Sequence, residues 1–152
     1  MRKIVIEQGG NAVMFLLFTL TALDFMQRSV VGATRVMFEF GWPSFAFVGW
    51  MIGFGLIRYR EHRRDPHFRL TSGEASAADE RERLISFRTA QRTLQVVVTL
   101  AILLLAVTAV FGIDPRVQAM DFRVIMIAAF GALLMVYCVT FIAFWFYYDR
   151  RL

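Results

Sequence analysis

The sequence predicts an all-α, polytopic integral membrane protein, one domain over residues 1–152 with four transmembrane helices and a long cytoplasmic loop or helix between spans two and three. Three observations predict it. Hydrophobic residues make up 58% of the chain and charged ones only 19%, against about 45–50% and about 25% in a soluble domain. The apolar residues gather into four uncharged runs, 8–23, 40–57, 93–113 and 124–148, of 16, 18, 21 and 25 residues; about 20 residues rising about 1.5 Å each cross a hydrocarbon core. The basic residues fall between these runs unevenly. Soluble globular, disordered and fibrous classes are excluded by this patterning, and a single cysteine, Cys138, excludes a disulfide framework.

The first span is expected over about 8–25. Its uncharged run between Glu7 and Asp24 is short, so one or both carboxylates belong near the interface or the bilayer thins there. Arg2 and Lys3 ahead of an apolar stretch also resemble a signal peptide, but Asp24-Phe25-Met26-Gln27-Arg28 is a poor cleavage region, so a retained span is expected. Between spans one and two, Arg28, Gly32, Arg35 and Glu39 recur at helical spacing. That spacing predicts a short amphipathic helix on the outer membrane face, or an extension of either span.

Span two, 40–57, opens on Gly41-Trp42-Pro43, where proline suits the first helical turn and tryptophan the interface. It carries the clearest packing signal. Ala46, Gly49 and Gly53 make a small-xxx-small stripe, and Ala128, Gly131 and Ala132 make another on span four; such faces let backbones approach within a chain or between chains.

The loop 58–92 begins with a basic exit and passes a flexible Thr71-Ser72-Gly73 tip. Ser76 and Asp79 have capping-box spacing, and from there one helix is expected from about Ala77 through span three, 93–113, to about Ile113. Leu84, Phe87 and Leu94 are expected as its modest apolar face, with Arg88 and Arg92 meeting lipid headgroups. Asp114 to Arg123 allows only a tight connection, so spans three and four, 93–113 and 124–148, form an antiparallel hairpin. The aromatic end of span four, Trp145, Tyr147 and Tyr148, belongs in the headgroup layer.

Charge then orients the chain. With loop 58–92 inside, 13 of the 17 Lys and Arg lie on the inner side and only Arg28, Arg35, Arg116 and Arg123 lie outside. The positive-inside rule puts both termini in the cytoplasm, as in a bacterial inner membrane. The net charge of +5 is thereby accounted for without nucleic acid, for which no groove-reading motif is present.

The chemistry is sparse. Runs 40–57, 93–113 and 124–148 contain no Asp, Glu, Lys, Arg or His, which are the groups that mark proton relays and ion-coupling sites. Glu61, His62, Asp65 and His67 match no closed metal motif, and Cys138 has no base beside it in any span. No catalytic, cofactor or metal residue is assigned, and an enzyme is not expected.

Phe40-Gly41-Trp42-Pro43-Ser44-Phe45, leading into a span that ends in a basic loop, resembles the small four-helix membrane subunit of tripartite tricarboxylate transporters. Residues 93–152 carry no motif of that family. The resemblance implies an accessory subunit whose partner does the transport chemistry. The residues themselves leave two readings open. One is a non-catalytic accessory or scaffold subunit, whose partners are the lipid bilayer and other membrane subunits or copies of itself. The other is a homo-oligomeric pore formed between subunits, with Asp24 and Glu39 at its outer mouth and hydroxyls such as Thr19, Thr21, Thr99, Thr108 and Thr140 along it.

Overall fold

The computed structural model describes residues 2–31, 36–64, 80–113 and 119–151. Four long helices carry the fold: α1 Arg2–Arg28, α2 Trp42–Arg64, α3 Glu80–Ile113 and α4 Ala119–Asp149. Each exceeds its uncharged run. At about 1.5 Å per residue the 27 residues of α1 reach about 40 Å, which removes the length shortfall of the first run. Three helices are long and apolar enough to cross a membrane, over Ile4–Arg28, Glu80–Ala109 and Phe122–Asp149. α2, interrupted by Trp50 and three glycines and ending in a basic turn, is the least apolar of the four and does not reach that standard.

The helices stand in a row, α2 beside α1, α1 beside α4 and α4 beside α3. Neighbours run antiparallel. Arg58 near the end of α2 meets Glu7 near the start of α1, and Arg81 at the start of α3 meets Asp149 at the end of α4. Arg81 and Asp149 lie equally far in sequence from Pro115, the register of a hairpin closed by a short connection. One end of the row therefore collects the start of α1, the end of α2, the start of α3 and the end of α4.

The segment after α1 differs from the amphipathic helix expected there. Val30–Val31 pairs antiparallel with Val36–Met37, Val30 opposite Met37 and Val31 opposite Val36. β-Branched residues favour the extended backbone, and the aromatic contacts explain the choice further. Phe25 packs against Phe38 at 5.6 Å and against Phe40 at 5.4 Å; residues two apart share a face of an extended chain but point apart on a helix. Of the residues at helical spacing, Arg28 ends α1 and Glu39 follows the second strand, while Gly32 and Arg35 lie outside the described residues.

Large apolar side chains point outward along every helix, among them Phe45, Ile52, Leu56, Ile102, Leu105 and Ile125. Among the described residues only six hydrophobic side chains are buried, and four of them, Ile4, Ile85, Phe141 and Trp145, form one cluster that ties α1, α3 and α4 together at the basic end. Apolar surface of this extent on a single chain marks contact with lipid or other apolar partners.

Candidate functional site at the basic end of the row

Among the described residues, the polar and charged ones buried as a whole, Glu7, Gln8, Thr89 and Thr93, lie toward this end. Glu7 lies on α1 one turn after Ile4, is 3% exposed, and accepts a hydrogen bond at Oε1 from Arg58 Nε of α2 at 2.8 Å. Two further contacts zip the same pair of helices. Trp50 Nε1 donates to the Gly10 carbonyl at 3.1 Å, and Phe54 lies where a methyl on Gly10 would sit. The Trp50 and Phe54 rings stack at 6.1 Å, with the Arg58 guanidinium 6.0 Å from the Phe54 centroid. Phe47, Trp50, Phe54 and Arg58 recur at three- and four-residue steps, so one stripe of α2 makes all these contacts.

On the other side of α1, Gln8, Thr89 and Thr93 are fully buried. Thr89 and Thr93 continue the stripe begun by Ile85, which clusters with Phe141 and Trp145 of α4, and Cys138 of α4 is fully buried as well. The two threonine hydroxyls and Trp145 Nε1 have no hydrogen-bond partner. At the rim, Arg81 Nη2 donates to the Asp149 carbonyl at 2.7 Å and Nη1 to its carboxylate at 3.2 Å. Arg151 lies over the Tyr147 ring at 4.4 Å.

The residues singled out from sequence distribute differently. Gly131 is buried against Thr19 of α1, with no room for a methyl between them. Its neighbours Ala128 and Ala132 are exposed. Gly49 and Gly53 have no atom within reach of an added Cβ, and Gly49 is exposed while Ala46 and Gly53 are half-buried. Asp24 accepts from Arg28 Nε at 2.8 Å one helical turn away, and this pair packs on Gly41 at the start of α2. Glu39 is exposed beside the hairpin. Thr19, Thr99, Thr108 and Thr140 donate to carbonyls of their own helices, whereas the Thr21 hydroxyl is buried with no partner.

Arg88 and Arg92 are exposed on α3, Arg92 donating to Gln95 at 3.1 Å. Leu84, Phe87 and Leu94 are 43%, 68% and 62% exposed, as an apolar face turned to its surroundings would be, while Ile85, Thr89 and Thr93 form the packed face that was not assigned. In an apolar solvent small and polar residues go to helix interfaces and large ones to lipid. Of the loop residues weighed as metal ligands, Glu61 lies near Arg64 at 3.9 Å, while Asp65 and His67 fall outside the described residues.

The pairing of Glu7 with Arg58 was not read from sequence, although both bound uncharged runs and lie about equally far in sequence from the middle of the segment that joins their helices. Antiparallel pairing of spans one and two puts two such residues at one level. The arrangement as a whole is built for joining helices and meeting an interface. It defines an all-helical membrane protein whose interhelical ion pairs, Glu7 with Arg58 and Arg81 with Asp149, lie at one end.

A family model described as a predicted membrane protein, DUF2178, matches residues 7–152, and the chain belongs to that family. No curated protein and no solved structure matches it.

Proposed function

We propose that the protein is a non-catalytic accessory or scaffold subunit of a larger assembly in a bacterial inner membrane, crossing four times with both termini cytoplasmic. The observation that carries this is α2. The least apolar long helix stands at the end of the row, touching only α1 among the described helices, and its Gly49 and Gly53 have nothing within reach of an added Cβ. Glycine in a lipid-facing helix weakens it unless a second backbone uses the room. A fourth crossing is supported by the way α2 lies along α1, from Phe47 beside Phe18 to Arg58 beside Glu7. If α1 spans the bilayer, α2 passes through the same depth.

Photo-crosslinking in native membranes tests the assembly. A photoreactive residue at Gly53 is expected to give an adduct of fixed size with an unrelated chain, while one at Leu103, exposed on α3, gives none. Adducts only with a second copy of the chain would favour the pore, and no adduct at Gly53 would remove the reading.

A further inference from the structure

We propose that the end of α4 binds an anionic phospholipid, its phosphate held by Arg150 and Arg151 and its first acyl methylenes lying against Ala143, Phe146 and Tyr147. These five residues line one groove of about 530 Å³. They fall on a single face, three or four residues apart, so apolar wall and cationic head follow each other along the helix axis. A phospholipid has the same order of parts. Arg carries a planar fork of donors suited to phosphate oxygens.

The groove is preorganised. The Arg151 guanidinium lies 4.4 Å over the Tyr147 ring, nearer than Arg63 to Tyr59 at 5.2 Å or Arg58 to Phe54 at 6.0 Å. Tyr147 is in turn held edge-on by Tyr148 at 5.2 Å, and the Arg151 N–H closes the last turn onto the Tyr148 carbonyl at 3.1 Å. A helix C-terminus repels anions through its partial negative charge, so the site must supply its own cations. It does so with two, and the carboxylate beside them among the described residues, Asp149, is held by Arg81 of α3. Among the described residues neither Arg150 nor Arg151 forms an ion pair. The proposal rests on the reading of α4 as a span whose end lies at a headgroup layer.

The test is native mass spectrometry of the full chain in mild detergent, titrated with phosphatidylglycerol or phosphatidylcholine. Phosphatidylglycerol is expected to bind more tightly, and loss of one arginine at a charged surface lowers affinity about fivefold and loss of two about thirtyfold. Arg150→Gln/Arg151→Gln should therefore abolish the preference, and Arg60→Gln/Arg63→Gln on α2 should keep it. Arg151→Lys, which retains charge but loses the fork and much of the stacking, should fall between. Inorganic phosphate should not displace the lipid. A preference that survives the double variant, that is lost equally in the α2 control, or that free phosphate abolishes would overturn the proposal. Binding in detergent does not depend on which side this end faces, so failure here is distinct from failure of the topology.

Discussion

At the scale of single residues, the most exacting contact is between Glu7 and Arg58, because one partner is buried and the other is not. The Glu7 side chain is 4% exposed and Arg58 is 30% exposed. A carboxylate that deep costs free energy unless an ionised donor reaches it. Solvent reaches the arginine and screens part of the attraction, so Glu7→Gln is expected to lower stability by about 1–2 kcal/mol. The check is thermal unfolding in detergent, with the double variant Glu7→Gln/Arg58→Met expected to recover part of the loss. No recovery would mean that Arg58 acts elsewhere. The glycines make a second pair of outcomes. A methyl at Gly10 meets the Phe54 ring and one at Gly131 meets Thr19, whereas one at Gly49 meets nothing. Overpacking of this kind costs about 1–3 kcal/mol. Gly10→Ala and Gly131→Ala should each lower the melting temperature of the isolated chain. Gly49→Ile should leave it unchanged and act only on assembly in the membrane; a destabilised Gly49→Ile monomer would mean that the open face of α2 is covered within the chain.

At the scale of elements, the long helices were legible because their signal is summed over many residues. The runs at 93–113 and 124–148 lie within α3 and α4, and the expected start of α3 near Ala77 precedes the first described helical residue, Glu80. Two features were illegible for physical reasons. The hairpin at Val30–Met37 depends on Phe25 recruiting Phe38 and Phe40, a tertiary contact that local periodicity does not carry. The buried face of α3 was not assigned, because an apolar stripe marks the core only when the surroundings are water. In lipid Phe87 gains nothing by turning inward, and the compact Thr89 and Thr93 allow α4 to approach. The pairing of α1 with α4 was not expected from sequence at all, since no loop joins them directly. Thr19→Cys with Gly131→Cys in a Cys138→Ser background is expected to form an intrachain disulfide once α1 and α4 ease apart by about 1 Å, since the two Cβ positions lie closer than the ~3.8 Å of a relaxed bridge. Gly53→Cys with Gly131→Cys should form none, since α2 and α4 are not neighbours. A disulfide in the second pair and not the first would rearrange the row.

At the scale of the whole molecule, the row of helices turns the number of crossings into a question about one element. α1, α3 and α4 are long and apolar enough to cross, and α2 is not by its own composition. Its contacts argue the other way, because Trp50 and Arg58 fix it antiparallel to α1 over most of its length. With four crossings the two termini share a side, the side that the proposed orientation, drawn from the asymmetry of Lys and Arg, puts in the cytoplasm. With three, α2 would have to leave α1 and lie along the surface, breaking the Glu7 to Arg58 pair and the Trp50 to Gly10 hydrogen bond. Single cysteines in a Cys138→Ser background decide this. Phe38, exposed beside the hairpin, and Arg60, exposed at the basic end of α2, should label with an impermeant maleimide from opposite sides of intact cells. Ser72 should behave as Arg60 does, and Gln118 as Phe38 does. If Phe38 and Arg60 label from the same side, α2 does not cross; the open glycine stripe would then lie at the membrane surface, where a soluble partner rather than a membrane subunit would have to cover it.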